Sequence, residues 1–547
     1  MASVRLCLVL LLIVVGFADV GADTYPKNRG VDVLHYRFAL DLNDQDDRVS
    51  GTADIDIRFA GEGAAALRFD LINLDQATGR GMAVSRVAVD GATAPFTHRD
   101  HALTITLPRR FAQDERLRLQ IAYAGVPASG LKIANNKHGD RTFFSDNWPD
   151  KARHWLPTVD HPYDKATSEM IVTAPSHYQV ISNGLLVEET DLAGSRRRTH
   201  WRQSVPIAPW LYVLGVARFA VQHVDSFEGK ALQTWVYAQD RDAGFYDFAV
   251  PTRDVLAFYS AKVGPFSYEK LANVQSNSVS GGMEAASAIF YSEGSVVGDR
   301  NVRWRNVVIH EIAHQWFGNA VTESDWDDVW LSEGFATYFT LLYIEHAYGR
   351  DEFLAGLEAS RQRVLEFDRQ RPDYRVVHDN LSDMSQVTTG QIYQKGSWIL
   401  HMLRGLMGDE AFWAGVRSYY RAHQDGHATT ADFRREMERT SGKDLRVFFD
   451  QWLTRGGLVR LDGDWRYRAD TGTLTVRLTQ RDRGRLFTMP LQVGVYAAGT
   501  TTPALTTVQL SEASHEFQIK VGQRPERVAL DPNHFVLIES SFVEARQ

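Results

Sequence analysis

The spacing of the apolar residues changes twice along this chain of 547 residues, and that change limits the folds the chain can adopt. Between about residues 25 and 221, apolar residues mostly occupy every second position, as Ala53, Ile55 and Ile57 do. Successive side chains of a strand point to opposite faces of a sheet, so this period indicates strands that are buried on one face. A β-rich domain is therefore predicted at residues 23–222.

In the middle of the chain the period lengthens to that of a helix. It is clearest in four segments, at 302–320, 332–348, 393–406 and 409–423. After Gly457 the alternation returns, for example at Leu474 and Val476. Since the chain is also too long for one hydrophobic core, the pattern predicts an α+β multidomain fold, with a mainly helical domain at 223–456 and a small β-sandwich at 457–547.

The first residues have the order of an export signal. Arg5 precedes an unbroken apolar run from Leu6 to Phe17, and small residues ending at Ala22 follow it. This order is typical of a secretory signal peptide, and the run is shorter than the roughly 20 residues that span a bilayer as a helix. We therefore expect residues 1–22 to be a cleaved signal peptide, no stable membrane span, and an exported protein that is periplasmic or secreted.

Composition removes some classes of function. The single cysteine, Cys7, lies in the predicted signal peptide, so a cysteine nucleophile is excluded from the mature protein. The net charge is −8, and no cluster of Lys and Arg interleaves with aromatic residues, which argues against a nucleic-acid partner. Charge by itself says little about the substrate.

The segment from His310 to His314 (HEIAH) is the strongest chemical signal in the chain. On a helix, positions i and i+4 share a face, so both imidazoles can bind one metal ion, and Glu311 between them can reach a water on that metal. Zinc is the expected ion, because it takes nitrogen and oxygen ligands and keeps an open position in catalytic sites. Glu311 would then be the general base in the hydrolysis of an amide bond.

A metal site with two histidines needs a third protein ligand, and Glu333 on the next helical segment (WLSEGFA) supplies one. Zinc bound by two His and one Glu is a known hydrolytic set. The alternative is a chance HExxH on an ordinary amphipathic helix, and the additional glutamate makes that alternative much less frequent. The prediction is one Zn²⁺ per chain, bound by His310, His314 and Glu333.

Together these motifs resemble the M1 family of zinc aminopeptidases, whose metal helix is similar to HEIAHQWFGN and whose third ligand lies in a WLxEGFA segment. The family's GxMEN strand has a counterpart in Gly281, Gly282, Met283 and Glu284, shortly before the metal helix. The resemblance implies a thermolysin-like catalytic domain after a saddle-like N-terminal domain. It also implies that this strand binds an extended peptide and that Glu284 binds the peptide's free α-ammonium.

Two further residues take their expected roles from the same resemblance. Tyr393 (in QIYQKG) stands where the family has a tyrosine that donates a hydrogen bond to the oxyanion of the tetrahedral intermediate. Asp146 stands shortly before a segment similar to DARxxFPCxDEP, at a position that helps to bind the substrate amine. The residues themselves leave simpler interpretations open, since Tyr393 also fits a core tyrosine and Asp146 a solvated loop residue.

The sequence also departs from the family pattern. Ala285 replaces the usual Asn, His161 replaces the Glu of DEP, and Thr340 stands where many members have a Glu near the metal. The resemblance reaches from His35 to Asn533 and includes no counterpart of the family's large C-terminal helical domain. We therefore expect a more open site that accepts longer peptides.

Two alternatives to an aminopeptidase stay open at this point. An endopeptidase of the thermolysin type shares HExxH and a distal glutamate, but it has no use for Glu284. A non-catalytic peptide-binding protein would bind peptides without turnover, although the metal ligands and the general base are all present.

Overall fold

The computed structural model of the chain describes residues 23–61, 63–379 and 381–545. The predicted signal peptide, residues 1–22, lies outside the described residues. Within the described part of the chain, no helix is both long enough and apolar enough to cross a bilayer.

The N-terminal region is β-rich, as the alternating pattern predicted. Its strands are β1 Val31–Asp41, β2 Val49–Phe59, β3 Ala66–Asp70, β4 Gly81–Val89, β5 Ala92–Thr93, β6 Phe96–Arg99, β7 Ala102–Thr106, β8 Arg116–Val126, β9 Leu131–Asn135, β10 Arg141–Ser145, β11 Ala166–Pro175, β12 Gln179–Ser182, β13 Leu185–Leu192, β14 Arg196–Ile207 and β15 Leu214–Ala217. They form an eight-stranded sheet in the order β13-β14-β11-β1-β2-β8-β4-β5 and smaller sheets in the orders β12-β15-β10-β9 and β3-β7-β6.

The alternation in β2 sets which face of the large sheet is buried. Ala53, Ile55 and Ile57 are fully buried, whereas the polar residues between them are partly exposed. In the antiparallel register Ile55 lies opposite Leu119 of β8, so apolar pairs stack on the same face. A slip of one residue would turn this whole set to solvent, which fixes the register.

A mainly helical region follows, and it begins with a mixed sheet. The strands of the region are β16 Phe219–Phe227, β17 Lys230–Tyr237, β18 Lys270–Ser276, β19 Gly282–Met283, β20 Ala288–Ser292, β21 Val321–Glu323 and β22 Gly426–Ala428. The first five form one sheet in the order β16-β17-β18-β20-β19, which the sequence did not predict. The domain boundary expected at 222/223 falls inside β16.

The helices of this region pack partly against that sheet and mostly against one another. They are α1 Arg241–Phe248, α2 Thr252–Lys262, α3 Val302–His314, α4 Trp330–Tyr348, α5 Arg350–Gln370, α6 Gly396–Met407, α7 Asp409–His423, α8 Thr430–Ser441 and α9 Arg446–Phe449. A π-helical turn, Gln391–Lys395, runs directly into α6. The helix expected at 302–320 ends at His314 instead, because the chain turns back at Gly318, which has a φ of 106°.

The C-terminal strands make two further sheets. They are β23 Val459–Arg468, β24 Thr473–Gln480, β25 Met489–Tyr496, β26 Ala504–Leu510, β27 Ser514–Lys520, β28 Arg527–Leu530 and β29 Ile538–Glu544. One sheet has the order β27-β24-β23-β29 and the other β26-β25-β28. Inward-facing residues such as Val476 and Leu491 are fully buried, in agreement with the expected alternation.

Candidate metal centre

The last turn of α3 presents two histidines on one face. The helix begins at an N-cap, Asn301, whose side chain accepts a hydrogen bond from the backbone N–H of Arg303. At its other end the Nε2 atoms of His310 and His314 lie 3.1 Å apart. His314 is fully buried, while His310 keeps 20% of its side chain exposed, so the pair faces a cleft that solvent can enter.

Glu333, in the first turn of α4, completes the predicted ligand set. Its Oε2 lies 3.4 Å from His310 Nε2 and 3.3 Å from His314 Nε2. Ligand atoms about 2.1 Å from a tetrahedral ion lie about 3.4 Å from one another, so the three separations fit zinc. Oε2 is buried and has no hydrogen-bond donor, as expected of an oxygen that binds a metal.

The surroundings of His314 orient its ring for metal binding. Nδ1 lies 3.1 Å from the carbonyl oxygen of Phe317, so it carries the hydrogen and leaves the Nε2 lone pair for a metal. Ser332 Oγ lies 3.1 Å from the same nitrogen. A Cβ at Gly318 would lie 2.2 Å from that hydroxyl oxygen, so only glycine fits the turn beside the His314 ring.

Glu311 projects from α3 toward the edge of the mixed sheet. Its side chain lies directly over Gly282, where a Cβ would be 2.3 Å from the carboxyl carbon. Burial, followed by the charge of the nearby Glu284, raises the pKa of Glu311 well above its ordinary value. A carboxyl group of raised pKa is a stronger base, which suits the expected role of Glu311.

Glu284 is fixed through its own backbone. Its carbonyl oxygen accepts hydrogen bonds from Gln315 Nε2 at 2.9 Å and from Asn319 Nδ2 at 2.6 Å, both on the segment that follows the metal ligands. Its side chain is 5% exposed and its Oε1 has no partner. Burial raises the pKa of Glu284 to about 7, against a lowering by His314. A cationic group would therefore gain a buried, unpaired acceptor here.

Gly282 and Met283 form β19, at the outer edge of the mixed sheet. Gly282 pairs with Tyr291 and Met283 with Phe290, both on β20. The carbonyl of Gly281 accepts a hydrogen bond from the backbone of Ser292. No other strand of the described residues pairs with the far side of β19, which leaves a backbone edge that an extended peptide can join.

Comparison with protein families agrees with this geometry. The description "Peptidase family M1 domain" matches residues 251–452, and "Peptidase M1 N-terminal domain" matches residues 33–211. Together the two matches span more than half of the chain and include both histidines, Glu311 and Glu333. The chain belongs to the M1 peptidase family. The family indicates a zinc cofactor, and the separations of His310, His314 and Glu333 fit that ion.

Solved structures and curated proteins of the family resemble this M1 member. A mutant form of the M1 zinc metallopeptidase from Deinococcus radiodurans is 25% identical, with a TM-score of 0.67 over 78% of this chain and 94% of that one. The glutamyl aminopeptidase of Rattus norvegicus is 28% identical over 57% of this chain and 34% of its own length. Aminopeptidase A of Gloydius brevicauda is 30% identical over 58% and 35%. The matches thus span about a third of these curated relatives.

Tyr393 of this M1 peptidase lies on the π-helical turn before α6. Its hydroxyl donates a hydrogen bond to Glu333 Oε1 at 2.7 Å, and its ring stacks on that of His310 at 6.1 Å between centroids. One oxygen of Glu333 therefore faces the histidines while Tyr393 holds the other. The turn packs closely on α4 because the backbones of Gly334 and Gly396 are in contact. A Cβ on either glycine would lie 3.0 Å from the backbone of the other.

Asp146 follows β10 on the N-terminal side of the cleft. Its Oδ2 accepts a hydrogen bond from Lys151 Nζ at 2.6 Å, and no hydrogen bond joins it to Glu284. Its charge helps to raise the pKa of Glu284, so the two carboxyl groups are near enough to interact electrostatically. The structure thus brings Asp146 to the cleft but pairs it with a lysine.

The departures from the family pattern have structural partners of their own. His161 is buried, and its Nε2 lies 2.5 Å from Asp23 Oδ2. Thr340 donates a hydrogen bond to the carbonyl of Ala336 in its own helix, so it adds no group to the metal centre. Ala285 is buried against the core, where an amide side chain is not needed to hold Glu284 because Gln315 and Asn319 do so.

Sequence reasoning missed a buried carboxyl group behind the metal centre. Glu323, on β21, is fully buried, and neither carboxylate oxygen has a hydrogen-bond partner. Burial raises its pKa well above the ordinary value, and Glu333 and Glu284 contribute in the same direction. The position of Glu323 close to the apolar Ala320 and Val321 was the only hint of its burial in the sequence. The spacing of apolar residues cannot by itself distinguish a buried carboxyl group from a solvated one.

Proposed function

We propose that the protein is a zinc-dependent aminopeptidase that hydrolyses the first peptide bond of peptides with a free N-terminus. The observation that carries the proposal is the buried carboxylate of Glu284, which has an unpartnered oxygen and lies within 4.8 Å of ligand atoms of Glu311 and His314. A carboxylate at that place pairs with an α-ammonium and leaves internal peptide bonds badly placed for attack.

The chain's own residues supply the remaining steps of the hydrolysis. Bound zinc would polarise the scissile carbonyl and lower the pKa of a water. Glu311 accepts the proton of the attacking water and passes it to the departing amine, so protons balance. Before the amine departs, Tyr393 donates a hydrogen bond to the oxyanion of the tetrahedral intermediate, and its hydroxyl must first turn away from Glu333 Oε1.

Substrate binding uses the edge of β19 and the acidic cleft. The backbone of Gly281, Gly282 and Met283 pairs with the extended peptide as an added strand. Asp146 serves as a second contact for the substrate amine. To do so, its carboxylate releases the ammonium of Lys151 and binds the α-ammonium of the substrate instead. Glu284 follows β19 directly in the chain, and the charge of Asp146 acts on its carboxyl group, which suits recognition of a chain terminus by all three.

The domain plan and the location of the protein belong to the same proposal. We assign an N-terminal domain at 23–222, a thermolysin-like peptidase domain at 223–456 and a β-sandwich domain at 457–547. The pairing of β16 with β17 favours moving the first boundary to just before Phe219. The two C-terminal sheets, with buried residues on their facing sides, support the sandwich. We also propose export through a signal peptide at 1–22, to the periplasm or the medium.

The test is the release of arylamine from a panel of aminoacyl-anilides by the purified protein, with and without a chelator. The panel includes acidic first residues, because several relatives are glutamyl aminopeptidases. Activity should need zinc, should fail on N-acetylated substrates, and should fall by about 100-fold in kcat/KM in Glu284→Ala. Glu293→Ala is the matched control, since that carboxylate binds the backbone of Lys137 outside the centre.

Two outcomes point to the alternatives. Cleavage of an acetylated peptide at an internal bond, with Glu284→Ala harmless, identifies an endopeptidase of the thermolysin type. Peptide binding without turnover by the zinc-loaded protein identifies a non-catalytic binding protein.

A further inference from the structure

Lys395 is the last residue of the π-helical turn that carries Tyr393, and its side chain reaches the segment before the C-terminal strands. Its side chain is 1% exposed, and its Nζ donates a hydrogen bond to the carbonyl oxygen of Gly457 at 3.1 Å. Gly457 lies in the connection to the C-terminal strands, just before β23. One side chain thus joins the turn that bears Tyr393 to the last region of the chain.

The turn is held from two opposite sides. On the side of the metal centre, Gly396 contacts the backbone of Gly334, the residue after the ligand Glu333. On the other side is the hydrogen bond from Lys395 to Gly457. A π-helical turn has one residue more than a regular helical turn and is common at functional sites. Relaxation to regular helical geometry would rotate Tyr393 around the helix axis and away from Glu333.

The charge of Lys395 is not well compensated where it lies. Asp368, on α5, attracts the ammonium through space, but its carboxylate is bound by Arg460 Nη2 at 2.6 Å. Burial, against this attraction, lowers the pKa of Lys395 to about 8. A buried charge with so little pairing costs stability, and an apolar side chain of similar size is often neutral or better. Packing alone therefore does not explain why position 395 is a lysine. The hydrogen bond to the carbonyl of Gly457 does explain it, because that bond needs a long side chain with a donor.

We propose that Lys395 is a positioning residue for Tyr393. By tying the π-helical turn to the carbonyl of Gly457, it fixes the phenol against Glu333 and makes the C-terminal strands part of the active-site architecture. This inference rests on the proposed function, in which the hydroxyl of Tyr393 stabilises the oxyanion.

A double-mutant cycle on Lys395→Met and Tyr393→Phe tests the proposal with the zinc-loaded protein. Lys395→Met should lower kcat by about 10- to 100-fold with KM and zinc content unchanged, because a small misplacement of a catalytic group has that effect. Tyr393→Phe should lower kcat by about 100- to 1000-fold. The double variant should equal Tyr393→Phe, since without the hydroxyl there is nothing left to position.

A matched control separates positioning from general damage. Lys230 also donates a hydrogen bond from its ammonium to a backbone carbonyl, that of Phe266, but in the hairpin of β16 and β17. Lys230→Met should keep kcat within about twofold, as a substitution remote from the chemistry. Gly457→Ala perturbs the same hydrogen bond at its acceptor. The φ of 87° at Gly457 is strained for alanine, so the substitution should displace the carbonyl that Lys395 binds. Gly457→Ala should also lower kcat, and it should cause no further loss in the Tyr393→Phe background. This second variant keeps the proposal testable if Lys395→Met does not fold.

Each remaining outcome overturns part of the proposal. An unchanged kcat in Lys395→Met and in Gly457→Ala shows that the contact positions nothing. An equal loss with and without the hydroxyl of Tyr393 shows a general structural effect. If Tyr393→Phe keeps full kcat, the oxyanion role of Tyr393 fails and the positioning role fails with it, while the zinc and Glu284 tests still decide whether the protein is an aminopeptidase.

Discussion

Gly282 has no side chain at the place where the carboxylate of Glu311 lies. An added Cβ would come within 2.3 Å of the carboxyl carbon, so either the base or the strand would have to move. The neighbouring Gly281 is a natural comparison, because a Cβ there meets no atom within 4 Å. Neither residue has the positive φ that would itself exclude alanine.

Gly282→Ala should therefore lower kcat/KM by about 100-fold while the protein keeps its zinc, because the metal ligands are untouched and only the base is displaced. Gly281→Ala should stay within about threefold of wild type, since an added Cβ there meets no atom and leaves the backbone that the peptide joins in place. Steady-state kinetics and metal analysis of both variants check this. Equal losses in the two variants would mean that the strand edge, and not the space for Glu311, limits activity.

At the scale of single residues, helical spacing predicted that the two imidazoles lie together, whereas contacts between distant residues could not be predicted. His310 and His314 were placed on one face because they are four residues apart. The hydrogen bond from Tyr393 to Glu333 joins residues 60 positions apart, so no spacing rule applies to it. The roles of Gln315 and Asn319 were missed for the same reason, as both bind the carbonyl of Glu284, which lies 31 and 35 positions earlier in the chain.

Among the elements, helices were predicted more completely than the central strands. The segments at 409–423 and 332–348 match α7 and the body of α4, since α7 carries a clear apolar face and α4 is apolar over a length typical of a buried helix. Every residue of β18 is buried, so the strand shows no period of two and cannot be distinguished from buried helix by pattern alone. The parallel pairing of β18 with β17 and β20 also depends on connections that the sequence does not display.

Lys270, the first residue of β18, is a buried cation within an otherwise regular element. Its Nζ donates to the carbonyl of Ser182 at 2.8 Å and to Ser287 Oγ at 3.3 Å, and it lies 4.8 Å from the centre of the Trp201 ring. Burial, against the attraction of Glu269, lowers the pKa of Lys270 to about 7. An unfolded lysine titrates near pH 10.4, so the unfolded chain binds more protons than the native one between about pH 7 and 10.

Native stability supplied by Lys270 must therefore rise with pH across that interval. We expect the Tm of wild type relative to Lys270→Met to increase by about 5 °C between pH 6.5 and 9. Thermal unfolding of both proteins at matched pH values measures the difference, and effects common to both cancel. Lys132→Met serves as the control, because that side chain is exposed and its substitution should give a constant offset.

On the scale of the whole molecule, charged pairs join the catalytic region to the C-terminal sheets. Asp368 on α5 is 2% exposed and accepts a hydrogen bond from Arg460 on β23 at 2.6 Å. Arg460 also binds Glu539 of β29 at 2.9 Å, and Glu539 in turn binds Arg369 of α5. The pairs lie beside Lys395, so this junction bears on the active site as well as on the packing of the two regions.

Arg460→Met should lower the Tm by about 6 °C or more, because removing one partner leaves Asp368 charged and buried, which costs about 3 kcal/mol. Adding Asp368→Asn to that variant should restore much of the loss, since the unpaired charge disappears. Arg477→Met is the matched control: Arg477 binds Glu516 at 2.8 Å on the exposed face of the same sheet, and such a pair is worth less than about 1 kcal/mol. Differential scanning calorimetry of the four proteins measures these shifts. If Arg460→Met loses no more Tm than Arg477→Met, the buried pair does not hold the two regions together. The C-terminal strands would then be coupled to Tyr393 only through the contact between Lys395 and Gly457.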